Sequence, residues 1–96
     1  MIRRPFKIPV SFQIGGHTVK VVTGKKHPKD TPLFGSWNES QRIINVYTAA
    51  RGTMAGETFC HELMHAIFRF SGTKGNERAI QRVALLLHQA LTTMEF

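Results

Sequence analysis

The chain has 96 residues, enough for one domain and too few for two. Its residues are 42% apolar and 20% charged, which excludes general disorder, and a formal net charge of +7 favours anionic partners. A single cysteine, Cys60, excludes an internal disulfide and a multi-cysteine zinc ribbon, and no apolar run approaches the roughly 20 residues of a membrane-spanning helix.

Residues 1–96 are thus expected to form a single domain, with a core small enough that a metal, partner or ligand would add materially to stability. The first seven residues are basic, but Pro5 and Pro9 interrupt this region and no apolar stretch follows. The expectation is no secretory signal and a reducing cytoplasm. In residues 8–14 the apolar side chains Ile8, Val10, Phe12 and Ile14 alternate, which predicts a strand. Gly15-Gly16 suits a two-residue hairpin turn, and residues 17–23 predict the returning strand. A polar loop with two prolines follows, containing the basic run Lys25-Lys26-His27-Pro28-Lys29. That run reads as a solvated loop ahead of an anion-binding one. Residues 33–37 suggest a short strand, Asn38 to Gln41 a turn, and residues 42–48 a clear strand. Two-residue turns imply antiparallel pairing.

Helical periodicity takes over in residues 49–70, with Thr53 a candidate cap. Phe59, Leu63, Ala66, Ile67 and Phe70 form its apolar stripe, and Cys60, Met64 and Phe68 widen it, so the helix should be largely buried. Gly72 is a natural stop. Asn76 caps a second helix running to about Met94, with a stripe of Ile80, Val83, Ala84, Leu87, Leu91 and Met94. The fold class is α+β: an antiparallel sheet of three or four strands packed on two helices.

The first helix contains His61-Glu62-Leu63-Met64-His65, an H-E-x-x-H motif. By composition alone it would arise in about one chain in eighty, but a buried helix is where unpaired polar residues are expensive. Histidines four apart project from one face and reach one cation, and neutral imidazole suits Zn²⁺. Glu62 lies about 100° round the helix and is read as the base that takes a proton from water, not as a ligand. A third ligand is sought among His17, His27, Glu57, Cys60, Glu77 and His88. Cys60 points elsewhere. Glu57, one turn before His61, either accepts from an imidazole N–H or stabilises the helix start. Glu77 opens the second helix on the face of Ile80, Ala84 and Leu91, after a short loop with Gly72 and Gly75, so it can approach the histidines. His88 lies roughly 16 Å further along that helix, too far to share a metal with Glu77. Trp37 and Tyr47 read as packing residues ahead of a ligand platform and an oxyanion donor respectively.

Residues 58–67, Thr-Phe-Cys-His-Glu-Leu-Met-His-Ala-Ile, resemble the active-site helix of zincin metallopeptidases, and residues 76–84 resemble the glutamate-bearing helix of gluzincins. The layout over roughly residues 34–94 is similar to that of the minimal zincins of phage and prophage, distantly related to the ImmA/IrrE type. The resemblance implies that His61, His65 and Glu77 bind zinc, that Glu62 is the catalytic base, and that the activity is hydrolysis of a peptide or protein. No metzincin-type third histidine follows His65, and the chain lacks the extra subdomain that shapes a cleft in larger peptidases. The competing expectation is a zinc-stabilised binding protein that contacts nucleic acid or a host protein through its basic surface.

Overall fold

A computed structural model describes residues 6–28 and 33–96; the basic residues 1–5 and the loop residues Lys29, Asp30, Thr31 and Pro32 lie outside the described residues. Gly15 and Gly16 both have positive φ, 57° and 77°, as a tight turn between twisted strands requires. They join β1 (Ser11–Ile14) to β2 (His17–Lys25), which pair antiparallel with Phe12 opposite Val19. The first strand begins at Ser11 and not at Ile8, and the Val10 side chain is 82% exposed. The second hairpin joins β3 (Gly35–Asn38) to β4 (Ile43–Tyr47). Its turn is held by Asn38 Oδ1, which accepts from the Gln41 N–H and the Ser40 hydroxyl, each at 3.0 Å.

The sheet order is β1-β2-β4-β3, and the β2/β4 pair is parallel. This corrects the all-antiparallel expectation. The long connection after β2 carries the chain past the neighbouring position to the far edge. The β3/β4 hairpin then folds back and inserts β4 beside β2, running in the same direction. The two-residue-turn argument held only where such a turn joins the strands, at β1/β2.

One sheet face carries Phe12, Val19, Val21, Ile44, Val46 and Trp37, with Gly35 beside them. Helix α1 (Thr53–Ser71) covers it, seated mainly over β3 and β4. Val19, Ile44, Phe59 and Cys60 fill the interface, and Phe59 meets Phe12 edge-on at 6.0 Å. The helix starts after Gly52 at φ 59° with no side-chain cap, so Thr53 is its first residue and residues 49–52 are not helical. It ends as expected at Gly72 in the left-handed region, and the Thr73 N–H bonds to the Phe68 carbonyl at 3.1 Å. An ion pair between Arg69 and Glu39 ties this end to the β3/β4 turn.

Helix α2 (Glu77–Thr93) starts at Asn76, whose Oδ1 accepts the Ala79 N–H at 2.8 Å. It packs on α1 and forms a third layer. Its buried face is Ile80, Ala84, His88 and Thr92; of the expected stripe, Ile80 and Ala84 are buried and Leu87 packs on the core, while Val83, Leu91 and Met94 are exposed. The helix axes come close because α1 presents Gly56 there; an added Cβ would lie 2.6 Å from His88 Nε2. The Thr92 hydroxyl is satisfied by the His88 carbonyl at 2.9 Å.

Candidate functional site

His61 and His65 stand one helical turn apart on α1, and Glu77 arrives as the first residue of α2. The short loop closed by Gly72 and the Asn76 cap fixes where that first residue falls. Glu77 Oε1 lies 2.6 Å from His61 Nε2, Oε2 lies 3.1 Å from His65 Nε2, and the two Nε2 atoms are 3.2 Å apart. While Glu77 is ionised, protons do not satisfy all three contacts. If both imidazoles donate to Glu77, their two N–H groups face each other; if one is bare, its lone pair faces a carboxylate oxygen. A cation shared by three lone pairs satisfies every contact. Donors at metal–ligand distances of about 2.0–2.1 Å in tetrahedral geometry stand roughly 3.3 Å apart; two of the separations, 3.1 and 3.2 Å, are close to that, and the third, 2.6 Å, is shorter. The three side chains form a group that could hold a metal ion. His61 Nδ1 is buried with no hydrogen-bond partner, so the outward nitrogen lacks the acceptor that metal-bound histidines commonly have.

Glu62 does not face this triangle as a fourth member. It is 8% exposed and lies against Gly35 of β3, where an added Cβ would sit 3.5 Å from Glu62 Cγ and only 2.4 Å from Thr58 Cγ2. Burial pushes its carboxyl from the usual 4.5 to about 7; the adjacent His61 opposes the shift and the Glu77 charge adds to it. A carboxylate with that proton affinity takes up and releases a proton near neutrality.

These residues open onto a cavity of about 330 Å³ lined by Leu33, Phe34, Gly35, Met54, Glu57, Thr58, His61, Glu62, Glu77 and Gln81. Glu57 lines this cavity and makes no hydrogen bond to either imidazole, so the imidazole-acceptor reading of Glu57 is not what the structure contains. The apolar lining was not legible as a site in the sequence. Gly35 carried a signal: a glycine inside a strand marks close approach by another element.

The other candidates lie elsewhere. His17 stacks on Phe70 at 5.0 Å and receives Arg42 Nη1 at 3.2 Å. His27 meets the Tyr47 ring edge-on at 5.1 Å, and His88 is buried against Phe6. The Cys60 thiol is held up near 11 by burial and by Glu57, so it is a protonated core group. Trp37 packs edge-on against Phe70. The Tyr47 hydroxyl bonds to Ser36 Oγ at 3.1 Å, and its ring lines a different cavity.

No protein-family model, curated protein or solved structure matches the chain. Among the described residues, no helix is long and apolar enough to cross a membrane.

Proposed function

We propose that the protein is a zinc-dependent hydrolase, most simply a metallopeptidase of minimal gluzincin type. The supporting observation is the convergence of His61, His65 and Glu77 beside a buried Glu62 in an open cavity. His61, His65 and Glu77 would hold the zinc, which supplies Lewis acidity toward water and the substrate carbonyl. Glu62 takes the proton of the attacking water and passes it to the leaving amine. Its proton affinity near neutrality suits both transfers.

The edge of the sheet supports a peptide as substrate. β3 is an edge strand, and its Gly35 lies against Glu62. An extended peptide pairs with such an edge through backbone hydrogen bonds, which brings successive carbonyls past the site. A purely structural zinc would give no reason for a buried carboxylate at Glu62. The proposed setting is the cytoplasm, that of the host if the chain is phage-encoded, with nucleic acid a minor partner at most. The test is hydrolysis of host-lysate proteins by zinc-loaded wild type and Glu62→Gln. Identical products at identical rates would refute the peptidase reading.

A further inference from the structure

Three of the chain's six acidic residues, Glu57, Glu62 and Glu77, line one cavity of a protein whose net charge is +7. Two of them have work in the proposed chemistry. Glu57 has none. It is half-buried and pairs with no Lys or Arg among the described residues. A divalent ion at the histidines would balance Glu77 and Glu62 and leave Glu57 as the uncompensated charge of the cavity.

The rest of the lining includes an apolar part. Leu33 and Phe34 are each 44% exposed and Met54 is 37% exposed, large side chains left open around the same space. Glu62, 8% exposed, lines the same space and forms no ion pair with a Lys or Arg among the described residues. Glu57 lies one turn along α1 from His61, about 6 Å by helical rise, and Met54 roughly 10 Å. One residue of an extended chain advances about 3.3 Å, so a side chain one or two residues from a carbonyl at His61 reaches this part of the cavity.

We propose that Glu57, with the wall of Leu33, Phe34 and Met54, forms a specificity subsite for a lysine or arginine side chain close to the scissile bond. The long aliphatic stem lies on the apolar wall and the cationic head meets the Glu57 carboxylate. Neutral apolar side chains gain only the wall, and acidic ones are repelled. The attraction is local, because the surface as a whole is basic and repels cations at longer range. This assignment rests on the peptidase reading for its register and stands apart from it as a binding claim.

The test uses zinc-loaded Glu62→Gln protein and blocked hexa-alanine peptides carrying lysine, norleucine or glutamate at the fourth position, titrated by NMR. Norleucine keeps the stem and removes the charge. The lysine peptide should bind about tenfold tighter than the norleucine peptide, as a charge-assisted hydrogen bond in a partly screened site provides. Adding Glu57→Gln should bring that ratio close to one, with zinc content and melting temperature retained. Glu57→Lys should turn the preference toward the glutamate peptide. A lysine-to-norleucine ratio that survives Glu57→Gln, or no preference for lysine at all, overturns the subsite. The peptidase reading fails differently: protein with Glu62 intact would bind the lysine peptide with the expected preference and leave it uncut. Cleavage without any preference for lysine or arginine would sink the subsite and keep the peptidase.

Discussion

Two cavities of nearly equal size flank α1, about 330 and 340 Å³. One is lined by three carboxylates and a histidine. The other is lined by Phe6, Val10, Val46, Thr23, Thr48 and their neighbours, and among the described residues its only ionisable side chain is Tyr47, whose hydroxyl is bonded to Ser36. Volume therefore does not mark the site. What separates the two is ionisable groups held at a cost: a carboxyl buried beside a strand glycine, and two imidazoles and a carboxylate whose mutual contacts protons do not all satisfy while Glu77 is ionised. The second cavity lies between the sheet and the start of α1, and its lining includes Thr23 and Thr48 but, among the described residues, no carboxylate or imidazole.

The sharpest way to break this comparison is to remove a histidine. His61→Ala or His65→Ala should take zinc binding from one ion per chain to none detectable by metal analysis after dialysis. Full occupancy in either variant would return the acidic cavity to the status of the other one. Next in size is Glu62→Gln, which should keep its zinc and lower peptide hydrolysis at least about a hundredfold. Loss of zinc in that variant would make Glu62 a ligand. Glu77→Gln keeps a carbonyl oxygen and loses the charge, so zinc affinity should fall about ten- to a hundredfold in competition with a chromophoric chelator, with the helices retained by circular dichroism.

Glu62 also predicts a pH dependence for metal-free protein. Its folded-state value, about 7, lies above the ordinary 4.5, so the stability it contributes is fully present below about 4.5 and is lost as pH rises to about 7. The wild-type melting temperature should drop across that range. Glu62→Gln should remove most of the drop and melt several degrees higher at pH 8. Equal melting temperatures at pH 8 would show that the carboxyl is better solvated than its burial implies. The smallest effect belongs to the second cavity: Tyr47→Phe breaks the bond to Ser36, costs about 1 kcal/mol in urea unfolding, and leaves zinc affinity where it was.

The fold class was readable from periodicity, because period two in the first half and spacings of three and four in the second are local properties. So were the Asn76 cap and the Gly72 stop. The order of the strands was not. Whether β4 lies beside β2 or outside β3 depends on where a long loop delivers the chain, and no residue of β4 encodes that. The α2 stripe was misread for a related reason. Counting apolar residues alone selects Val83, Leu91 and Met94 along with Ile80, Ala84 and Leu87, yet the buried face follows Ile80, Ala84, His88 and Thr92, where an imidazole and a threonine hydroxyl bonded to its own helix serve as packing groups. At the site, the spacing of His61 and His65 and the position of Glu77 after a short loop were enough to bring the three side chains together. Glu57 was ambiguous in sequence because an imidazole acceptor and a helix-start charge look alike one turn before His61, and its place in a cavity with Leu33 and Phe34 depends on contacts between distant parts of the chain.

Helix α2 is fastened to the molecule through α1, with Val83 and Leu86 turned outward, 42% and 67% exposed. Its first residue is Glu77. Such a helix is the natural unit of partial opening: its amides should exchange with solvent long before those of α1 or β4, through swings that leave the sheet and α1 intact. Each swing draws Glu77 away from His61 and His65. Whatever cation joins the three must be released before α2 can lift, so occupancy and the closed position of α2 are thermodynamically linked. Chelation should therefore speed exchange and protease nicking selectively from Asn76 onward, which makes α2 a built-in reporter of whether the histidines are loaded.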